Sequence, residues 1–121
     1  MPVLVDTTVW VQHFRIAVPE LVALAVAGEI VSHPVVIGEL AVGGLRNRPQ
    51  TMTELRGLPL VSECTAIDAL DFLEQHRLYN LGLSWCDVQI LAAAVLDGVP
   101  IWTLDQRLHA EATARSLAWT P

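Results

Sequence analysis

The sequence predicts an α/β domain built on a central parallel sheet with helices on both faces. Two observations carry this. Short apolar runs alternate with helix-length amphipathic segments along the whole chain. The first run, Val3-Leu4-Val5, ends abruptly in Asp6-Thr7-Thr8, and an amphipathic segment starts at once. That reads as a buried parallel strand that delivers Asp6 to its C-terminal end. Ligands of open α/β sheets bind beyond those ends.

The elements follow in order. After the first strand a helix runs to about Phe14, and Pro19 opens a second over residues 20–27, which Gly28 ends. Residues 29–32 form a second strand. Pro34 starts a helix to about Val42, stopped by Gly43-Gly44. Residues 46–49 read as a loop before a short helix over 51–56. Residues 58–61 resemble a third strand, with Pro59 suited to an edge. A helix over 65–78 places Ala66, Leu70 and Leu73 at core spacing, and Asn80-Leu81-Gly82 breaks it. The most apolar helix covers 84–96, closed by Asp97-Gly98. Residues 101–104 are a fourth strand ending in Asp105, 106–115 a last helix, and 117–119 a fifth strand.

At 121 residues and 53% hydrophobic, the chain forms one domain, residues 1–121, with a real core. No apolar run reaches the roughly 18 residues that span a membrane. The start lacks a basic stretch, so a signal peptide is not expected. Cys64 and Cys86 show no C-x-x-C spacing, and the expectation is buried thiols in a reducing cytoplasm. The net charge is −6, and all seven cations are arginines. Taken alone, that balance argues against a nucleic-acid partner. It misleads only where bound cations neutralise some of the acids.

Four acids stand out. Asp71 has polar neighbours, Glu111 precedes Arg115 by one helical turn, and Asp97 precedes a glycine, so these three read as surface or turn residues. Glu39 has Val35, Val36, Val42 and Gly43 at helical spacing. Asp87 has Leu83, Ser84, Ile90 and Leu91. Both therefore lie on or beside core-facing stripes, where an unpaired charge is costly. Asp6 and Asp105 each end a strand. Each acid has a structural alternative. Asp6 and Asp105 can cap the helices that follow them, Ser84 and Asp87 match a capping box, and Glu39 can pair with a distant arginine. Jointly these alternatives weaken, because all four acids are directed to one sheet edge. Two unit charges ~4 Å apart cost about 4 kcal/mol at an effective dielectric near 20. A hard divalent cation removes that cost, and an all-oxygen set without His or Cys favours Mg²⁺ or Mn²⁺. Neutralising the four leaves −2 of the net −6. Arg15, Arg46, Arg48 and Arg107 are then the candidates for phosphate contacts.

With Asp6, Glu39, Asp87 and Asp105 in view, the chain resembles the PIN-domain ribonucleases. It is most similar to the VapC type of toxin from prokaryotic toxin–antitoxin pairs. Val5-Asp6-Thr7-Thr8-Val9-Trp10 resembles the first acidic motif of that family and Gly38-Glu39-Leu40 the second. The stretch from Leu83 through Asp87 to Ala94 resembles the third, and Trp102-Thr103-Leu104-Asp105 the fourth. Family members often carry an acid or histidine two residues after the fourth Asp, where this chain has Arg107. The resemblance covers essentially the whole chain. It implies a three-layer α/β/α sandwich and a Mg²⁺- or Mn²⁺-dependent endoribonuclease. It also implies a homodimer held inactive by a cognate antitoxin. Asp6, Asp87 and Asp105 would hold one or two ions and Glu39 would complete the cluster, giving a metal-activated water that attacks RNA in line and leaves 5′-phosphate and 3′-hydroxyl ends. Thr7, Thr8 and Thr103 would orient water or phosphate, or cap backbone. The histidines show no ligand spacing. Trp10, Trp85, Trp102 and Trp119 are expected mainly in core or oligomer contacts, with base stacking as the other role.

Three rivals fare less well. An aspartyl-nucleophile phosphatase wants a second Asp where Thr8 stands, and it also wants a lysine. A phospho-receiver domain fails for the same lack of lysine. A non-catalytic PIN-like binding module has no reason to retain all four acids.

Overall fold

The computed structural model describes every residue except Glu63. Three strands, β1 (Val3–Val5), β2 (Ile30–Val31) and β3 (Ile101–Trp102), form a parallel sheet in the order β2-β1-β3. Val3 pairs with Ile30, and Leu4 with both Val31 and Ile101, so β1 is central. Every β1 side chain is at most 1% exposed, as both faces of a central parallel strand require. Each contributes about 1.5–3 kcal/mol of burial.

Among the described residues seven helices surround the sheet: α1 (Thr7–Arg15), α2 (Pro19–Val26), α3 (Pro34–Ala41), α4 (Arg48–Arg56), α5 (Ala66–His76), α6 (Trp85–Asp97) and α7 (Gln106–Ala114). Helix α1 packs on α3 and α3 on α4, while α5 packs on α6 and α6 on α7. Helix α3 also packs on α6, and together the helices enclose the parallel sheet in the expected α/β fold. No single helix is long and apolar enough to cross a membrane among the described residues.

The sheet differs from the expectation at its edges. The expected third and fifth strands are single parallel bridges, Ser32 to Leu60 and Ile101 to Ala118. Pro59 has no N–H to extend a ladder, and Ala118 is followed by a chain that leaves the sheet after Trp119. Residues 48–49 belong to α4, because Pro49 is tolerated in a first turn. Helix α5 has a different phase from the one expected: Ala69 is buried and Phe72 and Leu73 are half-buried, whereas Ala66 and Leu70 are exposed. It also ends earlier than expected, at Arg77 in the left-handed region.

The loops that enter the helices are fixed by side-chain caps. His33 caps α3, its Nδ1 accepting the Val35 N–H at 2.9 Å. Ser84 and Asp87 form a reciprocal capping box at α6, and Gly98 ends that helix at φ 64°. Asp97 accepts the Ser62 N–H at 2.7 Å, which holds its carboxyl below the usual range.

His33 makes the fold acid-sensitive. Burial lowers its pKa from the ordinary 6.5, so the folded chain keeps the ring neutral while the unfolded chain protonates it. Its contribution is complete above the unfolded value and is lost as pH falls from there through the lower folded value. The wild type should therefore lose thermal stability from about pH 6.5 downward. His33→Asn, which retains a capping oxygen, should flatten that slope. Melting curves of both proteins between about pH 7.5 and about pH 5 test this; parallel slopes would remove His33 as the cause.

Candidate active site

Strand β1 lies between β2 and β3, where the strand order reverses, so the C-terminal end of β1 is a topological switch point, the place where an open α/β sheet leaves a crevice. Asp6 occupies it. Its carboxylate is 3% exposed and does not cap α1. Instead Oδ2 accepts two hydroxyls, Thr8 at 2.8 Å and Thr103 at 2.7 Å. The Thr8 hydroxyl in turn accepts the Leu104 N–H at 3.0 Å, and Thr103 accepts the Asp105 N–H at 3.0 Å. This mesh sews the end of β1 to the chain leaving β3.

The other three acids reach the same crevice from separate elements. Asp105 caps α7, with Oδ1 accepting the N–H groups of Arg107 and Leu108 at 2.9 and 3.1 Å. Asp87 uses Oδ2 to accept the Ser84 N–H at 2.9 Å. Glu39 accepts the Thr7 hydroxyl through Oε1 at 3.0 Å. Glu39 does not face the core as its neighbours suggested. It is exposed, because Val42, one of those apolar neighbours, is itself 89% exposed at the end of α3.

Two of the capping alternatives are therefore real, yet each uses a single oxygen. Among the described residues no hydrogen bond goes to the second oxygen of Asp6, Asp87 or Asp105. No arginine pairs with any of the four acids either; the ion pairs present join Met1 to Glu29 and Arg115 to Glu111.

The electrostatics register the crowding. Burial pushes the Asp87 carboxyl up, the Ser84 hydrogen bonds oppose this, and the charges of Asp6 and Asp105 raise it further. Cys86, one residue before Asp87, is the member of the site that sequence reasoning missed. Its thiol is raised by burial first, then by the charge of and a hydrogen bond to Glu39, then by Asp87 and Asp6. The adjacency of Cys86 to a motif acid was visible in the sequence, but only the helix orientation turns it toward Glu39.

The donor chemistry fits a hard divalent cation: carboxylate oxygens without a protein cation to neutralise them. As the side chains stand, no three His, Cys, Asp or Glu groups among the described residues are close enough together to hold one ion directly. Mg²⁺ does not need such a cage, since it keeps several waters and is held through one or two carboxylates. The residues fit an ion bound partly through water.

The arginines divide. Arg48 is committed to the fold, its guanidinium donating to Ala41 and Gly43 carbonyls at the end of α3. Arg107 lies across Gly82, where an added Cβ would come within 2.8 Å of its side chain. That contact, possible because residue 82 is glycine at φ 78°, ties the start of α7 to the loop before α6 and so relates Asp105 to Asp87. Arg15 and Arg46 line a cavity of about 440 Å³ that also includes Glu39, Val11, Phe14 and Leu45.

The PIN domain family model matches residues 3–113. Two curated relatives, each named Ribonuclease VapC32, come from Mycobacterium tuberculosis strains CDC 1551 / Oshkosh and ATCC 25618 / H37Rv. Each is 35% identical to this chain over 117 residues, spanning 96% of this chain and 94% of the relative. The sheet with its switch-point acid, the four motif acids and these matches agree: the chain belongs to the PIN domain family and, within it, to the VapC type.

Proposed function

We propose that the chain is a Mg²⁺- or Mn²⁺-dependent endoribonuclease, the toxin of a cytoplasmic toxin–antitoxin pair. The observation that carries the reading is the set of spare oxygens. Asp6, Asp87 and Asp105 are each anchored through one carboxylate oxygen, with no hydrogen bond to the other among the described residues, and the charges of Asp6 and Asp105 act on Asp87. The VapC32 relatives are named ribonucleases, which supplies the substrate class. Asp6, Glu39, Asp87 and Asp105 would hold the metal. A bound divalent ion supplies a lower pKa for its water and charge neutralisation at a phosphate. The protein's own part is positional. Thr8 and Thr103 fix the Asp6 carboxylate, Thr7 orients Glu39, and the two helix caps fix Asp105 and Asp87. Arg15 and Arg46 add positive charge on the Glu39 side.

The groove of Val11, Phe14, Leu40 and Leu45 beside Glu39 suits an apolar antitoxin segment carrying a basic side chain into the acids. Exposed apolar side chains such as Ile16, Val26 and Val95 offer area for a homodimer.

Antitoxin-free protein incubated with total cellular RNA should make a few discrete cuts with Mg²⁺ or Mn²⁺ and none with EDTA, leaving 5′-phosphate ends. Asp6→Asn should fold and cut at background rate. Cuts that persist in that variant would sink the assignment. Thr103→Val keeps the acid but loses its anchor, and should lower activity or metal affinity by roughly 10–100-fold; activity at the wild-type level would show that the hydroxyl serves only the backbone.

A third expectation concerns stability. Because the Asp87 carboxyl is pushed up in the folded chain, its ionisation costs stability as pH rises through its folded value. Metal-free Asp87→Asn should melt above wild type at neutral pH. Added Mn²⁺ should raise the wild-type midpoint and leave the variant nearly unmoved. Equal metal responses would remove Asp87 from the binding set.

A further inference from the structure

A second cavity, of about 510 Å³, opens next to the acids on the α1 side of the sheet. Its wall is aromatic. Trp102, at the end of β3, and Trp119, beyond the Ala118 bridge, lie with ring centroids 4.7 Å apart, and Val9 of α1 closes the side. Its rim is polar but carries no arginine: Gln12 of α1, Glu20 of α2, and Gln106 and His109 of α7. Thr103 belongs to both places. It lines this cavity while its hydroxyl holds Asp6 at 2.7 Å.

We infer that this cavity receives one base of the RNA strand, next to the phosphate that is cut; the inference rests on the ribonuclease reading above. Three features select a base over other occupants. Small-ligand sites are concave and mostly apolar with a few placed polar groups, and this cavity matches that description. Aromatic faces bind bases of single-stranded RNA by stacking, and amide and carboxylate side chains read base edges. The absence of arginine from its lining, together with the Glu20 carboxylate, excludes a phosphate from the interior and leaves the neutral base as the part that enters. Thr103, which lines the cavity and holds Asp6, sets the base site beside Asp6. Glu20 accepts from an exocyclic amino group, so adenine, guanine or cytosine is favoured over uracil.

Two measurements test this. The first is cleavage of a random-sequence single-stranded RNA pool with Mn²⁺, reading the base frequencies around each cut. Wild type should select a base at one position beside the cut. Gln106→Ala and His109→Ala, on the rim and outside the acid cluster, should relax selection at that position alone. Trp119→Leu should raise KM roughly tenfold with a smaller change in kcat, the loss expected for one stacked base. The second is binding without cleavage. Asp6→Asn protein titrated with the same RNA pool should show quenching of its tryptophan fluorescence that Trp119→Leu reduces. Circular dichroism confirms that each variant is folded.

Cleavage with an unchanged base profile and KM in all three variants would overturn the inference while leaving the nuclease standing. Binding that depends on Trp119 in a wild-type protein that cuts nothing would do the reverse. Quenching and RNA affinity that are both undiminished in Trp119→Leu overturn the base site whether or not cleavage occurs. A change in sedimentation mass on rim substitution, with the base profile intact, would assign the cavity to a protein partner or a second copy and also overturn it.

Discussion

The Asp6 carboxylate is the constraint on which the rest of the arrangement depends. It is almost fully buried, has no cation partner among the described residues, and is held by two hydroxyls on one oxygen. Hydroxyl hydrogen bonds offset only part of the cost of desolvating a charge. The sheet tolerates the rest because Asp6 sits where three parallel strands stop and the crossovers diverge, so one side of the carboxylate faces the crevice and not the core. Moving Asp6 one residue back would put it inside β1, where every side chain is sealed on both faces. Thr8 and Thr103 are as much part of this solution as the acid. They come from opposite ends of the chain, and their hydroxyls connect β1 to the segment after β3 at the one point where both must stay in register.

The remaining acids obey a common economy. A helix N-terminus needs a side-chain acceptor, and Asp87 and Asp105 each supply one with a single oxygen, leaving the other for the metal role proposed above. The helix end supplies rigid positioning, since the oxygen bound to the backbone fixes the direction of the free one. The macrodipole at each N-terminus also favours negative charge, which lowers the cost of collecting acids there. Capping and function, set against each other as rival explanations of the same residue, are here two uses of one side chain.

This explains what the sequence made legible and what it hid. The end of β1 at Asp6, the α6 capping box and the Glu111–Arg115 pair are local features with local causes, and all were readable. The four acids were readable because their spacing repeats a family pattern. Glu39 was placed correctly in the chain and wrongly in environment, since apolar neighbours at the last turn of a helix need not face the core. The outer strands shrank to single bridges because edge pairing depends on where the chain goes next, which no short window records. The same limit hid the role of Arg48, whose carbonyl partners belong to the preceding helix end. It also hid the tryptophan cavity, assembled from α1, α2, β3, α7 and the C-terminal segment, none of which carries a binding signature of its own.

The net charge of −6 gains a physical meaning from this arrangement. A nuclease usually attracts its substrate with a basic surface, and this chain has seven arginines and no lysine. Arg48 and Arg115 are engaged with the fold, and Arg107 is laid across Gly82. Seven arginines stand against thirteen acids, so the net field does not attract RNA over a distance. On the proposed reading, affinity comes from short-range terms: divalent ions at the acids, and stacking in a cavity with no arginine in its lining. Divalent ions bound there, as proposed, would convert the most repulsive part of the surface into the most attractive one and so couple metal binding to substrate binding. A protein built this way binds nucleic acid weakly without its metal, and its acidic crevice suits a basic segment of a partner instead. The same four carboxylates thus favour one occupant or the other, and the competition between ion and basic side chain for the spare oxygens is a sufficient physical basis for holding a toxin silent.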